Sequence, residues 1–247
     1  MFKQKIKQLE EAVVQLKNIV KNFGNKKVLG GIDIEIEEQK VTAILGESGC
    51  GKSTLLNIIA GKIRDYSGEV VFEREYEKGI SYVFQDDSLI PWKTVYNNLK
   101  FVLKGKVPNS DIDSIIKKYL KMVNLDGNEQ VFPNMLSGGM KRRVGIARAF
   151  AFPSKYMFMD EPFEFLDLKI KDEIIKDLIK LQKSEKKTII LITHDIDTAI
   201  SLGEKIVVLG GKPSVVKEIF VNKFALQSEN NNIEKEELKL KIKKLFL

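Results

Sequence analysis

Nine consecutive residues constrain this chain more than any others: Gly46, Glu47, Ser48, Gly49, Cys50, Gly51, Lys52, Ser53 and Thr54. They fit the spacing G-x-x-x-x-G-K-[ST]. They also stand where the short apolar run Val41–Leu45 gives way to the helically patterned Ser53–Ala60. Such a strand, loop and helix form a phosphate cradle. Glycines let backbone N–H groups turn inward, and the helix N-terminus adds a positive dipole. Lys52 can then reach the β- and γ-phosphates of a nucleotide, and the Ser53 hydroxyl can ligate Mg2+.

The rest of the chain alternates strands with helices. Val13–Val20 reads as a strand after an amphipathic opening, Met1 to about Ala12, and a turn around Phe23–Lys27 leads to a second strand, Gly31–Glu37. Further strands are expected at Glu69–Phe72, Ile80–Phe84, Tyr156–Met159, Thr188–Thr193, Ile206–Leu209 and Val215–Val221. Between residues 86 and 139 the character is helical. Ser110, with Asp113 three residues on, signals a helix start, and Ile115, Ile116, Tyr119, Leu120 and Val123 recur at helical spacing. Helices are also expected at Met140–Phe150 and Leu168–Lys183, the latter with Ile170, Ile174, Leu178 and Leu181 on one face. The pattern predicts an α/β fold, a P-loop NTPase core with a mainly parallel sheet. An N-terminal antiparallel β portion and an inserted α-helical lobe complete it. The expected organisation is a single domain over residues 1–247. Its core covers about 13–85 and 140–221, the lobe about 86–139, and a Lys-rich tail about 222–247, which reads as a helix packed on the body or, as the alternative, a membrane-surface or regulatory element.

Tyr156–Met159 ends in paired carboxylates, Asp160 and Glu161. A buried parallel strand delivers such acids to the carboxyl edge of the sheet, where open α/β sheets hold ligands. Asp160 is there a candidate Mg2+ ligand and Glu161 a candidate for polarising an attacking water.

Composition narrows the field. Hydrophobic residues make up 43% and charged residues 30%, a globular profile. No apolar run reaches the about 18 residues of a bilayer span, and the opening lacks the pattern of a secretory signal, so an intracellular location is expected. One cysteine, Cys50, and one histidine, His194, exclude an internal disulfide and any Cys- or His-rich metal cage within the chain. The net charge of +7 is spread along a sequence that also carries 34 acidic residues, which reads as a solvated surface rather than a nucleic-acid footprint.

Leu136-Ser137-Gly138-Gly139-Met140, followed by Lys141 to Ala149 and preceding Asp160-Glu161-Pro162, resembles the signature of the ABC ATPase family. Gln85, His194 and Phe23 resemble that family's Q-loop glutamine, switch histidine and adenine-stacking aromatic. The resemblance runs from about Val13 to Val221. It implies an ATP-hydrolysing subunit with ATP and Mg2+, in which Ser53, Gln85 and Asp160 hold the metal, and Glu161, His194 and Gln85 serve catalysis. It implies a second copy paired head to tail, so that Ser137, Gly138 and Gly139 of one chain face the nucleotide of the other. It further implies transmembrane permease subunits as partners, an indirect solute-binding protein, no nucleic acid, and a peripheral place on the cytoplasmic side of the membrane.

Phe84 to Trp92 and Thr94 to Asn98, with Phe163 and His194 to Asp197, resemble importers of the nitrate, sulfonate and taurine type. A small anionic or heterocyclic solute would follow. Trp92 reads either as a lobe core residue or as part of the partner groove. Glu164 and Phe165 depart from the resemblance, because small residues are usual before Leu166-Asp167, and Gln39 replaces a usual turn glycine. A soluble ABC ATPase of the iron–sulfur assembly kind is the alternative; the Pro91-Trp92 segment favours the importer.

Overall fold

The structure is a computed structural model that describes residues 12–72, 79–86, 88–227 and 233–246. Most of the amphipathic opening, residues 1–11, and residues 228–232 of the tail lie outside the described residues. The elements in chain order are β1 (Ala12–Phe23), β2 (Lys26–Glu37), β3 (Val41–Leu45), α1 (Lys52–Ile59), β4 (Ser67–Phe72), β5 (Ile80–Val83), α2 (Val95–Leu103), α3 (Ile112–Met122), α4 (Gly138–Ala151), β6 (Tyr156–Asp160), α5 (Leu168–Glu185), β7 (Thr188–Thr193), α6 (Ile196–Leu202), β8 (Lys205–Gly210), β9 (Val215–Val221) and α7 (Ile233–Lys244). They divide into two compact units, Met1–Glu77 with Lys187–Leu247, and Lys78–Lys186.

In the first unit β3 lies between β7 and β8, parallel to both, with β9 antiparallel on β8. Every residue of β3 and β7 is buried, because α1 and α6 cover this sheet; that is why both strands are unbroken apolar runs rather than alternating ones. A second, antiparallel sheet has the order β2-β1-β4. Both hairpin strands are longer than the sequence pattern suggests. A bulge at Asn18, with φ 50°, switches the buried parity of β1 from Val14 and Leu16 to Ile19 and Lys21. Gly68 lies against this bulge: a Cβ there would stand 2.3 Å from the Asn18 carbonyl oxygen, so only glycine fits.

In the second unit β5 and β6 pair in parallel, and α4 packs on α2, α3, α5 and β5. The helical lobe is thus present as expected. The start of its second helix differs: a 3-10 turn, Asn109–Asp111, precedes α3, and no side chain caps that helix. Ser110 donates instead to the carboxylate of Asp111, and Asp113 accepts from the Tyr96 hydroxyl, so the Ser110–Asp113 pair is not a capping box. Tyr96 is a tertiary partner that sequence spacing cannot register. Helix α4 starts at Gly138, two residues earlier than expected, with Ser137 as its cap accepting from the Met140 amide at 3.3 Å.

In the tail, α7 is helical and packs on α6, burying Ile242. No helix among the described residues is long and apolar enough to cross a membrane.

Candidate functional site

The phosphate loop bridges β3 and α1 in the first unit. Its backbone needs glycine at two positions. Gly49 (φ 77°) and Gly51 (φ 99°) are left-handed, and a Cβ on Gly51 would also meet Val28 Cγ1 at 2.8 Å. Lys52 is buried and donates from Nζ to the carbonyls of Gly46 and Glu47, both at 2.9 Å, so its ammonium lies across the loop it opens. The Gly46 amide donates to Thr193 O at 3.4 Å, which sets the loop beside the end of β7. Ser53 is exposed in the first turn of α1 and Thr54 half-buried.

His194 follows β7 and is exposed. Its neighbours are fixed: the Asp195 amide donates to Thr193 Oγ1 at 3.0 Å, and the Asp195 carboxylate caps α6 by accepting from the Thr198 amide at 2.8 Å. Phe23 ends β1 and is half exposed, with Lys21 Nζ 4.7 Å from its ring centroid. Lys21 is itself held by Asp65, at 2.5 Å to the carbonyl and 3.0 Å to the carboxylate.

The second unit gathers the other predicted residues. Asp160 ends β6 and is half-buried. Burial, and after it the Asp160 charge, pushes the Tyr82 phenol well above its ordinary value, so Tyr82 remains neutral. Glu161 has φ 44°, a left-handed conformation that a long side chain rarely adopts, held where the Glu164 amide donates to Glu161 O at 3.2 Å. Gln85 Nε2 donates to Glu164 Oε2 at 2.5 Å. The two signature glycines differ: a Cβ on Gly139 would meet Ile170 Cγ2 at 2.6 Å, whereas one on Gly138 meets nothing within 4 Å. Close packing of α4 on α5 therefore explains Gly139, and nothing among the described residues explains Gly138.

Sequence reading missed three residues. Arg142 is buried on α4 and donates to Phe84 O at 2.7 Å and to Gln85 O at 2.5 Å. Arg148 donates to Ser88 O at 2.9 Å, and burial lowers its pKa, although a guanidinium stays protonated. Ser214, in the turn before β9, donates to Cys50 O. The only signal for the arginines is their place about one and three turns into a signature helix; Ser214 carries none. Trp92 is 77% exposed and not a core residue. It sits on a turn held from inside by Asn98, which accepts from the Ile90 amide at 2.8 Å and donates to Ile90 O, Lys93 O and Thr94 O.

The expected metal ligands offer a hydroxyl, a carboxamide oxygen and a carboxylate, hard donors that suit Mg2+. Among the described residues no cluster of three His, Cys, Asp or Glu side chains could hold an ion. A cation would therefore take most of its shell from phosphate and water, as Mg2+ does. Gln85 Oε1 accepts no hydrogen bond among the described residues, which leaves it available as a ligand.

The family profile described as ABC transporter matches residues 29–164. An uncharacterized ABC transporter ATP-binding protein of Methanocaldococcus jannaschii is 40% identical over 225 residues, 87% of this chain and 84% of that one. An aliphatic sulfonates import ATP-binding protein of Bacillus cereus is 35% identical over 230 residues, 92% of this chain and 91% of that one. Among solved structures, the dimeric post-hydrolysis state of an ATP-binding cassette bound to ADP and Pi matches with TM-score 0.70 and 32% identity, over 87% of this chain and 100% of that chain.

Proposed function

This chain belongs to the ABC transporter family as an ATP-hydrolysing cassette, and we propose that it powers solute import through separate membrane permease subunits of the nitrate, sulfonate and taurine type. The observation that carries the reading is Trp92, a large apolar side chain presented to solvent by a turn that buried Asn98 holds rigid. A turn built this firmly around an exposed tryptophan suits a fixed partner surface. The similarity to a sulfonate import ATP-binding protein supports the transport type.

In this reading ATP lies on the phosphate loop with its adenine against Phe23, and Lys52 neutralises the β- and γ-phosphates. Ser53, Gln85 and Asp160 hold Mg2+, which when bound neutralises charge on the same oxygens. Glu161 accepts a proton from the attacking water, and His194 contacts the γ-phosphate. A second copy supplies Ser137, Gly138 and Gly139 across the nucleotide, which would explain a Gly138 that no packing among the described residues requires. The assembly is placed on the cytoplasmic face of the membrane, with a solute-binding protein acting through the permease.

The test is affinity purification of the tagged chain from gently solubilised native membranes, with mass spectrometry of what accompanies it. A multi-span permease is expected. Recovery with cytosolic proteins alone overturns the transport reading.

A further inference from the structure

Gln85 is held at two points by residues far from it in sequence. Its backbone is fixed from α4, where the Arg142 guanidinium donates to Phe84 O at 2.7 Å and to Gln85 O at 2.5 Å. Its carboxamide is fixed from the turn after β6, where Glu164 Oε2 accepts from Nε2 at 2.5 Å. Glu164 is tied in turn to Glu161, through its own amide and the Glu161 carbonyl.

The chemistry of the Glu164 contact decides which way the amide faces. An ionised carboxylate only accepts, so the NH2 group must point at it, and the carboxamide oxygen must point away. A hydrogen bond to a carboxylate makes the opposite flip costly, since two oxygens would then face each other. With the backbone anchored by Arg142, the position of Oε1 is set.

We propose that Glu164 is a positioning residue that holds the Gln85 carboxamide with its oxygen presented to the nucleotide-bound divalent cation. The inference deepens the reading above and rests on Gln85 serving that cation. It gives a role to a residue standing where the resemblance leads one to expect a small side chain. Outer-shell carboxylates that orient a metal ligand commonly change metal affinity by about tenfold or more when removed. The bond lies at the surface, where a single hydrogen bond contributes little to folding, so its value lies in orientation.

The experiment is Mn2+ binding to the full chain with a non-hydrolysable ATP analogue, followed by electron paramagnetic resonance, with thermal melting as a control. Glu164→Ala is expected to weaken Mn2+ binding by about tenfold without lowering the melting temperature. Glu164→Gln keeps an acceptor oxygen and should restore most of the affinity. In a Gln85→Ala background, Glu164→Ala should have no further effect. Unchanged binding in Glu164→Ala overturns the inference, as does an effect that persists in the Gln85→Ala background. If Gln85→Ala itself binds Mn2+ as the wild type does, Gln85 is not a ligand and the inference falls with that assignment. If Gln85→Ala is weakened but Glu164→Ala is not, only the positioning role fails.

Discussion

The hydroxyl of Ser214 donates to the backbone carbonyl of Cys50, tying the turn before β9 to the rear of the phosphate loop. The same turn is laced to β2, because the Ser214 amide donates to Val28 O at 2.9 Å and its carbonyl accepts from the Gly30 amide at 2.8 Å. Ser214 is 1% exposed, so no water replaces its hydroxyl when it is removed. Ser214→Ala should therefore cost about 1–2 kcal/mol of stability, the usual penalty for a buried carbonyl deprived of its donor. It should also weaken ATP binding several-fold by freeing the loop. Urea denaturation and equilibrium nucleotide titration measure the two effects. Lowered stability with unchanged affinity would confine Ser214 to folding.

Glu161→Gln keeps the shape of the residue and removes the proposed base. Hydrolysis should fall by about a hundredfold or more, within the range that general-base catalysis contributes. Nucleotide binding should persist, and MgATP should accumulate a dimer on size-exclusion chromatography, because in the proposed cycle hydrolysis is what ends the paired state. Hydrolysis at the wild-type rate would remove Glu161 from the catalytic role.

Phe165 is 85% exposed with φ 63° in the turn that follows Glu161. Its ring lies almost wholly in solvent, and the left-handed backbone is strained for a side chain of this size. Phe165→Gly should leave the fold as stable or raise stability by up to about 1 kcal/mol. The bulk removed lies where two copies would meet in the head-to-tail pair, so the ATP dependence of dimerisation should change. Analytical ultracentrifugation at several ATP concentrations reads this directly; identical association curves would exclude Phe165 from the interface.

What the sequence made legible, and what it hid, separate on the range of the interactions. Val41–Leu45 and Thr188–Thr193 could be read because strands covered on both faces are continuously apolar, and the loop after Val41–Leu45 because its glycines answer local φ requirements. The start of β2 was hidden because the sequence places a turn around Phe23–Lys27 and opens the strand only at Gly31, whereas β2 begins at Lys26 and runs through Gly30 and Gly31. In the structure Gly30 is small because Pro213 approaches within 3.1 Å of where its Cβ would be, and Gly31 is left-handed within the strand. Arg142 and Ser214 were invisible because their partners lie 58 and 164 residues away and obey no periodicity.

Glu204 makes one part of the stability depend on pH. It accepts from the Val41 amide at 3.0 Å, but burial outweighs that bond and raises its pKa above the ordinary carboxylate value. Between the unfolded and the raised folded value, the folded chain binds more protons than the unfolded one. Stability must therefore fall as pH rises through that window, and the cost is fully present above the folded pKa. Glu204→Gln retains an acceptor for Val41 and cannot ionise. It should be more stable than the wild type at neutral pH, with the advantage shrinking as pH falls below the ordinary carboxylate range. Denaturation midpoints of the two proteins across pH test it; a constant difference would refute the linkage.

Two contacts compete to explain why α7 stays on α6, the helix that begins beside His194. Lys239 meets Asp197 at 2.5 Å, and Asp197 is mostly exposed, so the pair is screened and worth at most about 1 kcal/mol. Ile242 is 0% exposed, and truncating a fully buried isoleucine commonly costs about 2 kcal/mol or more. Packing should win. Ile242→Ala is expected to abolish hydrogen-exchange protection in α7 while leaving β3 and β7 protected, and Lys239→Ala to reduce it only slightly. Asn222 holds the far end of α6 independently, donating to Ile200 O at 2.7 Å and Gly203 O at 2.8 Å, so α6 itself should survive both changes. A larger loss in Lys239→Ala than in Ile242→Ala would mean that charge, not burial, docks the tail, and protection in α7 would then fall steeply with added salt.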